Sequence, residues 1–134
     1  MAFGKKRAAS DDYCCFCGWL KWFTDGTLAD SYRKYLADAD NLLVPAIVFY
    51  EVYKVLKREA GEEKALLAAG YMRNSRLIPF DDTLALAAAD IALRKNLAMA
   101  DAIIVAVSQA HNCRIVSSDA DLKDLDNVDY IQKT

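Results

Sequence analysis

The sequence predicts an α/β fold: one domain with a central parallel sheet of about five strands and helices on both faces. Short apolar runs alternate with longer segments whose apolar residues recur at helical spacing, an order typical of parallel sheets. Of the 134 residues, 54% are hydrophobic and 27% are charged, which excludes disordered and collagen-like classes. A chain of this length can bury roughly two thirds of its unfolded surface without disulfides or a structural metal.

The predicted strands are short segments that lie between the predicted helices. The first run, YCCFC, is closed by Gly18, and its lack of alternation suits a strand buried on both faces. Pro79 lies near the end of the third run, where it interrupts no central ladder. The strands are predicted at residues 13–17, 41–44, 76–80, 113–117 and 128–132.

Helices are predicted in the intervals between these strands. Pro45 suits the first turn of the helix after the second strand, and Gly61 ends that helix. Its buried stripe is predicted to comprise Ile47, Tyr50, either Val52 or Tyr53, and Leu56. Asp81 or Asp82 is expected to cap the helix after the third strand. The helices are predicted at residues 19–23, 27–36, 45–58, 61–72, 83–95 and 99–111.

Composition narrows the classes of function. A formal charge of −2 excludes nucleic-acid binding by overall charge, so any such contact must be local. No run reaches the roughly 18 to 20 apolar residues of a membrane span, and the opening MAFGKKR lacks the apolar block of a secretory signal. Three of the four cysteines fall within four positions, which suits reduced thiols. We expect a cytoplasmic protein with a loose leader at residues 1–12 and a domain at residues 13–134.

Four carboxylates interrupt or directly follow apolar segments. Glu51 breaks the apolar helix after the second strand, and Asp101 lies in the first turn of a helix nearly free of charge. Asp119 and Asp121 follow the fourth strand. Because ligand sites of parallel sheets lie at the carboxyl ends of the strands, we expect these side chains at one edge. Clustered carboxylates without histidines suit Mg²⁺ or Mn²⁺ better than zinc.

Each carboxylate also has a purely structural interpretation. Glu51 could pair with Lys54 or Lys57 on its own helix. Asp101 could be favoured by the helix dipole, and Asp119 could cap a helix that begins after Ser118. The expected convergence of all of them on one sheet edge favours the metal site.

Three motifs in this order resemble the PIN domain family, and within it the VapC-type toxins of toxin–antitoxin pairs. They are VPAIVFYEVYKVL at residues 44–56, LAMADAIIVA at residues 97–106 and IVSSDADL at residues 115–122. The similarity extends over about residues 13–131. It implies a ribonuclease that cuts RNA with water activated by Mg²⁺ or Mn²⁺.

The resemblance also assigns roles to individual residues. Glu51, Asp101 and Asp119 match the acidic residues of the family, and Asp121 matches an accessory carboxylate. Ser117 occupies a place where the family often has a hydroxyl that helps to orient the water. The family further implies an RNA substrate, a small antitoxin partner and a homodimer, with no membrane association.

The first strand departs from the family pattern. Family members usually end this strand with Asp, whereas counting back from Gly18 places Cys15 there. A thiolate is a poor ligand for Mg²⁺. Three alternatives follow: weak or absent catalysis, in a protein that binds RNA or an antitoxin; Cys15 as a softer ligand; or a first segment that differs from the natural sequence.

Two sets of side chains are candidates for partner contacts. Aromatic residues of the early helices, including Tyr50 and Tyr53, would suit a groove for a partner helix. Basic residues could line an RNA groove, or they could be ordinary residues of exposed helix faces. They are Lys54, Lys57, Arg58, Arg73, Arg76, Arg94 and Lys95.

Overall fold

The computed structural model describes residues 13–15, 42–117, 120–125 and 127–130, with backbone alone for the first segment. These residues form one parallel sheet with the strand order β3-β2-β1-β4-β5. The strands are β1 (Tyr13–Cys15), β2 (Leu42–Pro45), β3 (Arg76–Ile78), β4 (Arg114–Ser117) and β5 (Val128–Tyr130). The predicted α/β class and the parallel five-stranded sheet are confirmed.

Four helices and one short 3-10 turn connect the described strands. They are α1 (Ala46–Ala60), α2 (Glu62–Met72), α3 (Asp82–Lys95), α4 (Met99–His111) and the turn at Ala120–Leu122. Helix α1 packs against α2, and α3 packs against α4. The helices predicted at residues 19–23 and 27–36, like the leader at residues 1–12, lie outside the described residues.

The start of α1 differs slightly from the prediction. Pro45 is the last residue of β2 and the N-cap of α1, with φ −61° and ψ 146°, rather than a residue of the first turn. The fixed φ of proline is compatible with both a strand and a helix. Only the ψ angle therefore decides whether Pro45 ends the strand or begins the helix. Strand β2 therefore runs into α1 without a loop, which fixes where α1 begins relative to the sheet.

The predicted buried stripe of α1 is right at Val52 and Leu56 and wrong at Tyr50. The buried residues are Val48, Val52 and Leu56, spaced four apart, whereas Tyr50 is 56% exposed. Residues 47–56 are apolar on more than one side of the helix, so periodicity alone could not select the buried row. The consequence is a large aromatic ring on the outer surface of α1.

Two helix ends are fixed by specific residues. Asp81 caps α3, because its carboxylate accepts a 2.9 Å hydrogen bond from the backbone N–H of Leu84. Gly61 lies between α1 and α2 with φ +100° and ψ 164°, a conformation open essentially to glycine alone. Its N–H donates to the carbonyl of Leu56 at 3.1 Å, and the chain then reverses into α2.

The core lies on both faces of the sheet. All four residues of β2 are buried, and since successive side chains of a strand point to opposite faces, both faces are covered. Every residue from 101 to 108 of α4 is also buried. Helix α4 contacts β1, β2, β4 and α1, so it is the central helix of the described fold. None of the described helices is long and apolar enough to cross a membrane.

Candidate active site

The carboxyl ends of the three middle strands form one edge of the sheet. Cys15 of β1 is in register with Val116 of β4, one residue before that strand ends at Ser117. On the other side of β1, strand β2 ends at Pro45. This edge is where ligands of parallel α/β sheets bind. The backbone of Cys15 therefore lies where the sequence predicted, and its side chain lies outside the described residues.

Helix α4 brings Asp101 to the same edge. The helix ends at His111, three residues before β4 begins, so its last turn lies at the opposite edge. From His111 back to Asp101 the helix rises about 15 Å. The four residues of β4 span about 13 Å. Asp101 is therefore level with the carboxyl ends of the strands.

Asp101 is a nearly buried carboxylate, only 7% exposed. The residues that follow it, including Ile103 and Ile104, are buried as well. Taking an ionised carboxylate out of water costs several kcal/mol unless charges or hydrogen bonds compensate. A helix N-terminus supplies part of that compensation. A divalent cation is one further partner that suits a carboxylate oxygen at this position.

Ser117 and Asp121 mark the other side of the edge. Ser117 is the last residue of β4 and is 1% exposed. Asp121 is an exposed residue of the 3-10 turn, which is anchored by the buried Leu122. Asp119 lies between them in the chain, outside the described residues.

Glu51 is paired with a lysine of its own helix. It lies on α1 about 8 Å along the axis from the first residue, and its carboxylate is 2.9 Å from Lys54 Nζ. Hydrogen bonding to Glu51 raises the pKa of Lys54 above its ordinary value. The structural interpretation of Glu51 as an intrahelical ion pair is thus observed. Both partners are partly exposed, and exposed pairs of this kind are weak and exchange readily.

The donor types at this edge fit a hard cation. They are carboxylate and hydroxyl oxygens, whereas His111, the one histidine of the sequence, ends α4 at the opposite side. Within the described residues, no three His, Cys, Asp or Glu side chains form a group that could hold a metal ion. Asp119 and the Cys15 side chain are outside those residues, so the predicted ligand set remains a prediction.

Sequence reasoning named the aromatic and the basic residues of α1 separately and missed that they pair on one surface. Lys54 Nζ lies 5.0 Å from the Tyr50 ring centroid, and Lys57 Nζ lies 5.6 Å from the Tyr53 ring centroid. The signal was present as two Tyr-to-Lys pairs spaced four residues apart, which face each other on a helix.

The outer faces of α2 and α3 carry exposed leucines. On α3, Leu86 is 71% exposed and Leu93, two turns later, is 86% exposed. On α2, Leu66 and Leu67 are 54% and 70% exposed. Groups of exposed apolar side chains are a common feature of protein-binding surfaces.

The structure is therefore a parallel α/β fold with acidic side chains at the carboxyl ends of its strands, where they could bind a cation. A family model for the PIN domain matches residues 18–128. The chain therefore belongs to the PIN domain family. A comparison with curated proteins finds no match.

Solved structures share this fold at low sequence identity. A toxin–antitoxin complex from Klebsiella pneumoniae is 18% identical with a TM-score of 0.71, covering 87% of this chain and 95% of that chain. VapC20 of Mycobacterium tuberculosis, a toxin that cleaves the sarcin-ricin loop, has the same identity and TM-score, with coverages of 87% and 97%. DNA-bound VapBC from Salmonella typhimurium is 10% identical with a TM-score of 0.69, with coverages of 90% and 97%. At these identities the likeness shows the fold.

Proposed function

We propose that this chain is a metal-dependent endoribonuclease, a VapC-like toxin of a toxin–antitoxin pair. The observation that carries the proposal is the nearly buried Asp101 at the carboxyl edge of a parallel sheet, in a chain of the PIN family. The likeness of its fold to VapC20 and to VapBC supports the same conclusion. In this proposal the protein acts on RNA in the cytoplasm.

In this proposal Mg²⁺ or Mn²⁺ is held by acidic residues of the edge. The ligands would be Glu51, Asp101, Asp119 and Asp121. When bound, the cation supplies Lewis-acid chemistry, which makes water more acidic and offsets charge on the scissile phosphate. The burial of Asp101 restricts the orientations of its carboxylate. The Ser117 hydroxyl, at the end of β4, would help to orient the attacking water.

The antitoxin and a second copy of the chain are the proposed protein partners. The exposed leucines of α2 and α3 support protein contacts on those helices. Leu93→Glu places a charge at the most exposed of them, so we expect weaker self-association by sedimentation. The exposed Asp90→Asn, one turn earlier on α3, is the matched control. Equal self-association of the two variants would contradict a contact at Leu93.

Cys15 favours a second candidate function. A PIN protein that lacks the first carboxylate would be catalytically impaired and would bind RNA or an antitoxin without cutting. In that case Cys15→Asp should switch cleavage on, because it restores an oxygen ligand at the end of the central strand. A folded, Mn²⁺-binding Cys15→Asp protein that still fails to cut would contradict this explanation.

RNA cleavage by the purified chain tests the enzymatic proposal. Labelled single-stranded and structured RNAs should be cut in Mn²⁺, and cutting should stop in excess EDTA. Asp101→Asn should abolish it, because the amide keeps the size of the side chain and removes its charge. Asp90→Asn removes an exposed charge elsewhere and should cut like the wild type. Cleavage that persists in excess EDTA would contradict the proposed mechanism.

A further inference from the structure

An open groove runs along the outer surface of α1. Its volume is about 650 Å³, and it is defined here as the α1 groove. The lining residues are Phe49, Tyr50, Tyr53, Lys54, Lys57 and Arg58. The groove therefore combines three aromatic rings with three cations. In the sequence, the aromatic residues suggested a groove for a partner helix, whereas the basic residues suggested a groove for RNA.

Cations lie over the aromatic rings in this surface. Lys54 and Lys57 are over Tyr50 and Tyr53, and Arg73 from the end of α2 lies 5.7 Å from the Phe49 ring centroid. About half of each lysine side chain remains exposed. Each ring and its cation thus present an apolar plane beside a positive charge.

The cations of the groove have partners that an incoming anion can replace. Lys57 Nζ lies 3.3 Å from Glu62, and Arg58 Nε lies 2.9 Å from Glu59. These side chains are all at least half exposed. Exposed ion pairs contribute little to stability because water screens them. A phosphate can therefore replace the glutamate partner of such a cation with little loss of folding stability.

We propose that the α1 groove binds a single strand of RNA, with Tyr50 and Tyr53 stacking on bases and Lys54 and Lys57 contacting phosphates. This inference rests on the proposed function and specifies how its substrate is held. Strand-binding proteins commonly combine aromatic platforms with a positive groove. A docked apolar helix would instead take these exposed ion pairs out of water, and the desolvation of both charges of a pair is costly.

The groove adjoins Glu51, one of the proposed metal ligands. Glu51 lies between Tyr50 and Tyr53 in the chain, and its carboxylate contacts Lys54, which lines the groove. A strand lying along α1 therefore passes the proposed ligand Glu51. Its phosphates would approach the acidic edge from the side of Lys54.

Strand binding is tested without cleavage in an Asp101→Asn background with EDTA. The probe is a fluorescein-labelled oligouridylate of about ten nucleotides, within the usual site size of strand-binding grooves, and its anisotropy gives the affinity. The combined Tyr50→Leu and Tyr53→Leu variant should bind at least about fivefold more weakly, because stacking is lost. Since Tyr50 is 56% exposed, Tyr50→Leu alone serves as the test if the double variant does not fold.

The lysines are tested by the salt dependence of binding. Lys57→Gln should weaken binding and reduce the slope of log K against log salt by about 0.7, the value for one phosphate contact on a single strand. Lys95 was another sequence candidate for RNA contact, but it is an exposed lysine at the end of α3 and does not line the α1 groove, so Lys95→Gln should leave both the affinity and the slope unchanged.

Unchanged affinity in the tyrosine variants, or equal losses for Lys57→Gln and Lys95→Gln, would overturn the inference. The same holds if the groove variants alter only self-association, which would identify a protein contact. A different result would contradict the proposed function alone. If the protein with intact Asp101 binds RNA through the α1 groove but never cuts it, RNA binding by the groove is supported and the nuclease activity is contradicted.

Discussion

Binding of Mn²⁺ should stabilise the folded chain, and Asp101→Asn should remove that effect. A ligand that binds only the folded state at 100 times its dissociation constant stabilises it by about 2.7 kcal/mol. Unfolding entropy is about 2.1 cal/mol/K per residue, which for 134 residues amounts to about 0.28 kcal/mol/K. The melting temperature of the wild type should therefore rise by about 10 °C.

Differential scanning calorimetry with and without Mn²⁺ measures this shift, after titration calorimetry has set the concentration. Asp101→Asn keeps the volume of a side chain that is 7% exposed, so the metal-free variant should still melt cooperatively. Its melting temperature should not respond to Mn²⁺. Asp90→Asn, an exposed carboxylate of α3, should shift like the wild type. An equal shift in Asp101→Asn and the wild type would refute the assignment of Asp101 as a ligand.

Three further substitutions test how the scaffold is held. Asp81→Ala removes the N-cap hydrogen bond of α3 and should lower the free energy of unfolding by about 1 kcal/mol in urea titrations; no loss would contradict the cap. In Gly61→Ala the added Cβ meets no neighbouring atom, yet the positive φ should lower the free energy of unfolding by about 1–3 kcal/mol, as measured by thermal melting. Ser108→Ala leaves Cys113 O and Asn127 Nδ2 without the buried hydroxyl they contact, so we expect a loss of about 1–3 kcal/mol in guanidinium titrations.

Strand β2 was predictable because it is a short and uninterrupted apolar run. Buried parallel strands need no alternation, and the sequence of β2 has none. Asp81 was one of two predicted caps, and it is the residue whose carboxylate binds Leu84 N. The boundary between β2 and α1 was harder to predict, because the φ angle of Pro45 is compatible with both a strand and a helix.

The positions of Asp101 and Ser117 in the fold were predictable, and the contacts of the candidate residues were not. The edge rule for parallel sheets locates Asp101 and Ser117, since both depend on where an element begins or ends. The Glu51 to Lys54 pair was one of two lysine alternatives that spacing could not separate. The outward Tyr50 was mispredicted because α1 has more apolar residues than one buried row can hold.

The position of β1 in the middle of the sheet has a consequence for synthesis of the chain. Tyr13 pairs with Leu42 on one side and with Arg114 on the other, so the second pairing closes a loop of about 100 residues. A growing polypeptide can pair β1 with β2 early, but the acidic edge is completed only after β4 has been made. Translation that stops before residue 114 would leave an inert fragment, so a cell producing this proposed toxin would encounter its activity only from chains that extend beyond β4.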